Sequence, residues 1–467
     1  MFFVCQSTII NDPILSKIEV EYSQSWHTLD LIFCFAETKP TDRAMRFAGE
    51  ITDPVHRYIR FTDVERELLD TAAFQRLRRI KQLSGAHLVY PSAQHSRFEH
   101  SLGTMHVAGY AGETLLAKGY LSKEESIQEL RLAALLHDIG HGPFSHLFEE
   151  ILGSKREQSH EDLGKKIIFK TEISDILKKH GYNSKGVCKL SFGESKIKFF
   201  NEIIAGALSA DIMDYLPRDG LFTGAEYGKI DYHRLISSFE VVSNAHLAIN
   251  RSALYSFESM LISRYEMFKA VYFHKTVRSA EVMLLHSMRL ADEQLNLTDT
   301  SLDNYLNLTD DSTLEKIHSL NKSNEVAVRL VTDYRNRKLL KCVYEKFLHK
   351  HNDTFRKMDR QALYNLASQI AESARVQENS VFVDASRASS MPLTPTKKEI
   401  SSILLVDKER AYETPISEIP LIDSVTGFLD MLRVYTTLKN RDVVERSVKK
   451  VLGEEDSLYQ RRRIRKR

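Results

Sequence analysis

Cysteine is scarce in this chain. Its four thiols, Cys5, Cys34, Cys188 and Cys342, lie far apart, and none falls in a CxxC pair. That excludes a disulfide-stapled fold and a thiolate zinc site, and it suits a reducing compartment. The one tryptophan, Trp26, sits in the opening segment. Long apolar runs are also missing. The longest near the start, Leu31 to Ala36, is far shorter than the roughly 20 residues a membrane helix needs. No basic segment followed by an apolar signal core opens the chain. These absences predict a cytoplasmic protein with no membrane partner. Neither sign of charge is in excess: 65 Lys and Arg face 63 Asp and Glu, for a net +2. General attraction to polyanions is therefore no driving force, and any basic site must be local.

What remains is ordinary globular composition, 42% hydrophobic and 27% charged over 467 residues, more than one typical domain. Three regions are expected: 1–44, 45–290 and 291–467. Residues 1–44 show no clear helical period, whereas Met45 to Pro54 reads as the opening of a compact domain. The first segment is thus either an appendage ahead of a true start at Met45 or a small β-element packed on the core, and the sequence leaves both open. From residue 62 to about 290 the pattern is mainly helical. Thr62 and Glu65 have capping-box spacing ahead of Leu68 and Leu69. Asp70 or Thr71 can cap the next helix, where Phe74, Leu77 and Ile80 recur every three residues. Further helices are predicted from Ser101, over Ser126 to Leu136, and as one long rod over 255–295. Beyond that, residues 310–378 read as helical and charged. Val381-Phe382-Val383 and Ile403-Leu404-Leu405-Val406 read as short strands around a Ser/Pro/Thr-rich connector at 386–396, and a helix covers Arg441 to Leu452. The last seven residues, Arg461 to Arg467, carry six positive charges. Such a run is first a solvated tail, and only second a nucleic-acid or oligomer contact.

The chemistry concentrates in Leu135-Leu136-His137-Asp138-Ile139-Gly140-His141-Gly142. A charged doublet directly after an apolar helical stretch is costly to bury unless something compensates it, and a metal ion is a natural compensation. A lone histidine is more often a satisfied core residue than a ligand. That reading fits poorly where His137, Asp138, His141 and His146 crowd into ten residues, with Gly140 and Gly142 permitting a tight backbone path.

The segment from Asp70 to His146 resembles the HD-domain phosphohydrolases, whose signature is H…HD…D, and is most similar to their deoxynucleoside triphosphate triphosphohydrolase branch. The stretches that carry the likeness are Phe74 to Leu83, Arg97 to Gly103, His137 to His146, Asp211 to Asp219 and Tyr272 to Lys275, with a weaker echo at Leu432 to Tyr435. It covers residues 50–290 well and the rest loosely. The resemblance implies a mainly α fold, a helical HD core with a smaller α+β C-terminal lobe. It implies a divalent metal held by His100, His137, Asp138 and Asp211; imidazole and carboxylate suit Mg, Mn, Fe, Zn or Co without naming one. It implies a deoxynucleoside triphosphate substrate, split into deoxynucleoside and inorganic triphosphate. Arg97, Arg264 and Lys275 match its phosphate-binding cations, with His141 and His146 beside them. His160-Glu161 matches a second His-acid pair, and the choice of general acid between His146 and His160 stays open.

By the same resemblance, Gln82, Leu83, Asp219 and Tyr272 would select the sugar and Tyr215 would lie near sugar or phosphates. Asp70, Gln75 and Arg78 match positions that read an activating guanine nucleotide in regulated members, although a helix cap with surface charges explains them equally simply. Gly49 departs from those members, which carry a basic residue there, and no sterile-alpha-motif segment is recognised. A homodimer or homotetramer is implied by resemblance alone. Two other readings stand beside this one. The first is another HD phosphohydrolase acting on nucleoside monophosphates or cyclic nucleotides. The second is a nucleic-acid-binding regulator with a residual metal site that uses the Arg461 to Arg467 tail.

Overall fold

A computed structural model describes residues 45–242, 245–299, 301–320, 324–348, 358–386, 402–407, 410–415 and 430–453. Residues 1–44 with Trp26, Cys5 and Cys34, the connector from 387, and the Arg461 to Arg467 tail lie outside these.

The described chain opens with a hairpin, β1 (Phe47–Asp53) and β2 (Arg57–Thr62), and continues as helices α1 (Asp63–Leu69) and α2 (Ala72–Gln75). Then follow α3 (Arg97–Ala117), α4 (Glu125–Leu136), α5 (His146–Arg156), α6 (His160–Lys170), α7 (Ile173–Lys179), α8 (Ser184–Ser191), α9 (Lys198–Ala205), α10 (Ala210–Thr223) and α11 (Tyr232–Ser237). After β3 (Phe239–Val242) and β4 (His246–Asn250) come α12 (Leu254–Met267), α13 (Lys275–Leu295), α14 (Leu302–Leu306), α15 (Asp310–His318) and α16 (Glu325–Arg335). The C-terminal part holds β5 (Lys341–Leu348), α17 (Arg360–Ala374), β6 (Val381–Ser386), β7 (Ser402–Asp407), β8 (Arg410–Pro415), β9 (Asp430–Thr436) and α18 (Arg441–Leu452). The fold is mainly α, as expected. No helix among the described residues is long and apolar enough to cross a membrane.

The Thr62/Glu65 capping box forms, and of the two candidate caps it is Thr71 that accepts from the Phe74 amide. Four local expectations change. Phe74, Leu77 and Ile80 do not line an α-helix; after one α turn the chain tightens to a 3-10 helix at Arg76–Arg79, the geometry in which i and i+3 eclipse. The third helix begins at Arg97, not Ser101, because Ser96 and Glu99 make a capping box. The expected rod over 255–295 is broken: α12 runs into a π turn at Phe268–Tyr272, and α13 restarts after His274 caps it. Residues 310–378 are not wholly helical, since β5 intervenes.

Helix α3 is buried on nearly all sides and packs against α4 and α10. One apolar core gathers α1, α5, α6, α13 and α16 on one side of it; another gathers α9, α10 and α12 on the other. In the antiparallel sheet β5-β9-β6, the period-2 alternation of β9 turns Leu432 and Val434 toward α17 and α18. Its intervening residues face the other way. Arg433 donates to the Phe273 carbonyl at 2.6 Å, and Tyr435 to the Lys275 carbonyl at 3.1 Å. A second sheet, β3-β4-β7-β8, pairs β4 with β7 in parallel, Ile249 opposite Leu405.

The loop after α4 is held by buried polar anchors. Arg76 donates to the carbonyls of Ile139 (3.0 Å) and His141 (2.7 Å), and Tyr305 to that of Gly140 (2.7 Å). Gly140 is needed for close packing rather than for a turn: a Cβ there would lie 2.0 Å from the His160 carbonyl oxygen. The residues that take the left-handed backbone are instead Phe144 (φ 56°) and Ser145 (φ 54°). Asp310 accepts from the Phe144 amide at 2.7 Å and holds that bend.

Gly103 of α3 packs directly against the α10 side chains, where a Cβ would lie 1.7 Å from Asp214 Oδ1 and 2.5 Å from Arg218 Nη2. Gly103→Ala should therefore push the helices apart and cost at least about 2 kcal/mol by chemical denaturation. Ser101→Ala, two residues away on the same helix, removes a buried hydroxyl that has no hydrogen-bond partner and should change stability by less than about 0.5 kcal/mol.

Candidate metal centre and active site

Three elements bring the ligands together. His100 lies in the capped first turn of α3, fully buried. His137 is the C-cap of α4, and its Nδ1–H donates to the Ala134 carbonyl (2.7 Å), one of the last-turn carbonyls a helix leaves open. Asp211 lies in the first turn of α10, behind the Ser209 cap. The Nε2 atoms of His100 and His137 and a carboxylate oxygen of Asp211 all fall within 4.8 Å of one another. His100 Nε2 is 3.0 Å from Asp211 Oδ1 and His137 Nε2 is 3.9 Å from it. Asp138 stands beside this trio, Oδ1 at 3.4 Å from His137 Nε2 and Oδ2 at 3.7 Å from His100 Nε2.

The donor set fits a divalent cation. His137 donates through Nδ1, so its buried Nε2 presents a lone pair toward carboxylate oxygens, and that atom has no hydrogen-bond partner. A lone pair aimed at anions is sensible only with a cation between them. The side chain of Asp211 is 36% exposed, which opens one face of the trio to solvent. Burial alone would lower the His100 pKa, but Asp211 and Asp214 carry it up to about 10. That rise measures how strongly this spot favours positive charge.

Behind the trio, Asp214 accepts from His100 Nδ1 (2.8 Å), from His56 Nε2 (2.7 Å), and from Arg218 through Nε (2.9 Å) and Nη2 (2.8 Å). This carboxylate is a residue the sequence reading passed over, although it lies three positions after Asp211 on the same helix face.

Arg97 is buried and donates to Asp138 Oδ2 and, at 2.7 Å, to Ser145 Oγ. Burial would raise the Asp138 carboxyl, but Arg97, His137 and His141 hold it well below the ordinary range. His141 is buried against Asp138 Oδ1 (3.3 Å), and its ring stacks on His160 with centroids 4.0 Å apart. Burial first, then Arg97 and His160, keep His141 neutral well below its usual pKa. His146 is 76% exposed, 3.2 Å from Glu149. His160 takes its carboxylate partner from α5: its Nδ1 donates to Glu149 Oε1 at 2.6 Å. The adjoining Glu161 is half-buried and makes no such bond. Partial burial would lower His160, but Glu149 raises it; those same bonds hold the Glu149 carboxyl below its normal range. Glu149 had no sequence signal, because its partner lies eleven residues away across a helix break.

On the other side of Asp211, the face of α10 carries Tyr215 and Asp219 at successive four-residue steps. Asp219 is buried and accepts from Tyr272 Oη (2.7 Å) and from His95 Nε2 (2.7 Å), the latter another unpredicted residue. Tyr272 lies in the π turn, its ring 6.4 Å from that of Tyr215. Burial lifts the Tyr215 phenol to about 12 while Arg264, Asp211 and Asp219 all act on it, so these groups are neighbours. Leu83 and Gln82 are half-buried; Gln82 Oε1 and Arg264 Nε are buried without partners. Lys275, exposed, opens α13.

Asp70, Gln75 and Arg78 lie together at the surface beside α3. Gln75 accepts from Arg78 Nε (2.8 Å) and donates to the Leu69 carbonyl (2.8 Å), while the Arg78 guanidinium lies 3.5 Å over the Phe98 ring; Asp70 is exposed.

Comparison with known proteins gives this arrangement a family. The HD domain matches residues 97–218, and the HD associated region matches residues 230–462. The chain is 31% identical to a hypothetical protein from Aquifex aeolicus, over 86% of this chain and 99% of that one, and shares its crystal structure's fold with a TM-score of 0.69. It is 36% identical to an uncharacterized protein of Methanocaldococcus jannaschii over 58% of each chain. It is 33% identical to the deoxynucleoside triphosphate triphosphohydrolase SAMHD1 homolog of Dictyostelium discoideum, over 65% of this chain and 62% of that one. The chain thus spans about three fifths of the length of these curated relatives. With its H…HD…D side chains gathered at one point and both family segments matched, the chain belongs to the HD-domain phosphohydrolases, an HD domain followed by an HD associated region.

Proposed function

We propose that this protein hydrolyses deoxynucleoside triphosphates to deoxynucleoside and inorganic triphosphate. The observation that carries the reading is a set of buried polar atoms without partners on the candidate site residues and their neighbours: His141 Nδ1 on the ring beside Asp138, His95 Nδ1 on the ring that bonds Asp219, Arg264 Nε on a guanidinium that acts on Tyr215, and Gln82 Oε1. Buried polar groups are nearly always paired. Acceptors and a guanidinium donor left open together suit a ligand with both hydroxyl and phosphate groups. The named activity of the Dictyostelium relative supports the choice of substrate.

Cleavage breaks the bond between the α-phosphorus and the 5′ oxygen. A water oxygen bonds to phosphorus, and the departing 5′ oxygen takes a proton. A bound divalent ion supplies Lewis acidity at the phosphoryl oxygen and makes water more acidic. Arg97 stays with Asp138 and orients it, while Arg264 and Lys275 neutralise the triphosphate. His160, charged by Glu149, is the proton donor in this reading, and neutral His141 packs against it without competing for the proton. Asp219, held between His95 and Tyr272, is the acceptor for the sugar hydroxyl, and Tyr272 crowds the ribose 2′ position.

Purified protein incubated with each dNTP and Mg, Mn, Fe or Co should release inorganic triphosphate, and His137→Ala or Asp138→Ala should abolish that release. Release persisting in both variants, or seen only with nucleoside monophosphates or cyclic nucleotides as substrates, would reject the proposal.

The acid assignment has its own signature. Glu149 raises the His160 pKa, so the imidazolium persists above the usual histidine range and activity is lost only as pH rises through that elevated value. Glu149→Gln should reduce kcat by about tenfold or more and move the alkaline limb of the kcat profile to lower pH. An unmoved limb would assign the proton elsewhere.

The same reading includes a homodimer or homotetramer activated by a guanine nucleotide at Asp70, Gln75 and Arg78. Adding GTP or dGTP should then increase both the rate and the mass measured by light scattering.

A further inference from the structure

The hairpin tip between β1 and β2 reaches the metal centre from behind, although its residues are over 40 positions from the nearest ligand in sequence. Asp53 closes the tip on itself, its Oδ1 accepting from the amides of Val55 and His56 at 2.9 Å each. The same carboxylate accepts from Arg218, Nη1 to Oδ2 at 2.8 Å and Nη2 to Oδ1 at 3.3 Å. His56 donates through Nε2 to Asp214 Oδ1, and its Nδ1 lies 3.1 Å from Tyr232 Oη. The side chains of His56, Asp214 and Arg218 are fully buried and that of Asp53 is 4% exposed.

Four donors converge on Asp214, and a carboxylate has about four lone-pair directions. It is therefore saturated, cannot turn to take the metal itself, and must present Oδ2 to His100 Nδ1. That bond fixes the His100 tautomer with Nε2 open toward Asp211. Two of the four donors come from Arg218, which Asp53 holds, and a third is His56. The tip thus supplies or steadies three of the four contacts that keep Asp214 in place. Two carboxylates against one guanidinium also leave a net negative charge behind His100, which makes its imidazole a better ligand.

We propose that the Asp53–Arg57 tip is a positioning element of the metal centre, with His56 and Asp53 acting through Asp214 and Arg218 to hold the His100 imidazole ready for a cation. They are positioning residues and touch neither substrate nor metal. The inference rests on the metal reading of the trio and is independent of which nucleotide is cleaved.

The test is manganese binding to the full chain, stripped with chelator and titrated calorimetrically with Mn(II), alongside melting curves in chelator and in Mn(II). His56→Leu keeps the bulk but removes the donor to Asp214; it should weaken Mn(II) binding by about tenfold or more and shrink the metal-dependent rise in Tm. His56→Gln, whose amide nitrogen can replace Nε2, should restore most of the affinity, which a packing role would not predict. A folded His56→Leu that binds Mn(II) like the parent overturns the proposal. Should His56→Leu fail to fold, Asp53→Asn decides, because its remaining oxygen keeps the turn acceptor while an NH2 replaces the Oδ2 that accepts from Arg218 Nη1: weaker binding supports the proposal and unchanged binding overturns it. Weakened Mn(II) binding in a protein that hydrolyses no dNTP would leave this inference standing and reject the substrate assignment alone.

Discussion

Asp138, Asp211 and Asp214 all approach the single imidazole of His100, and carboxylates crowded this closely repel one another unless positive charge is shared among them. The surrounding structure provides that charge in layers. Arg218, shared with Asp53, pairs with Asp214 from behind, Arg97 pairs with Asp138 from the side, and the open face at Asp211 is left for a divalent cation. The helix crossing at Gly103, the buried guanidiniums and the clamped loop after α4 all serve this one electrostatic arrangement. Removing one charged partner from such a buried set strands the other, which is far costlier than never having built the pair.

The remaining architecture divides the work around that centre. The Gly140 contact with α6 sets His160 against His141, and Glu149 of α5 bonds His160 on the same side. Helix α10 runs the other way, from Asp211 past Tyr215 to Asp219, where Tyr272 and His95 meet it. The π turn that carries Tyr272 is fastened by the C-terminal sheet, whose Arg433 and Tyr435 bind the Phe273 and Lys275 carbonyls. Arg433 is itself steadied by Glu345 of the neighbouring strand (2.6 Å). The HD associated region thereby contributes Tyr272 to the candidate sugar end of the site and, through hydrogen bonds from its later strand to the Phe273 and Lys275 carbonyls, holds that segment in place.

Legibility in the sequence followed the range of the interaction. Capping residues act within one turn, so Thr62/Glu65 could be read directly, and the helix over Arg441 to Leu452 could be read from its own run of residues without a cap. The Ser96/Glu99 box was equally readable, and overlooking it displaced the start of α3. The His137-Asp138 doublet announced a cation because a buried charge pair after an apolar helix has few other compensations. Glu149, His95, His56 and Asp214 carried no comparable mark. An acid or histidine becomes a partner only when another element is packed within about 3 Å of it, and nothing local encodes that. The break at Phe268–Tyr272 was hidden for a related reason: no glycine or proline marks it, the flanking Leu, Met and Lys favour helix, and the segment after the π turn is held by hydrogen bonds from β9.

The sequence by itself determined that this is a mainly helical chain with a histidine–aspartate metal motif, since helix caps, apolar periodicity and an otherwise unaffordable charged doublet are local facts. Only the tertiary structure decided which carboxylate holds which ring: Asp214 behind His100, Glu149 beside His160, Asp219 between His95 and Tyr272. Those pairings depend on helices packing at close range in a low-dielectric interior, where a hydrogen bond to a charge is strong and an unpaired one is intolerable.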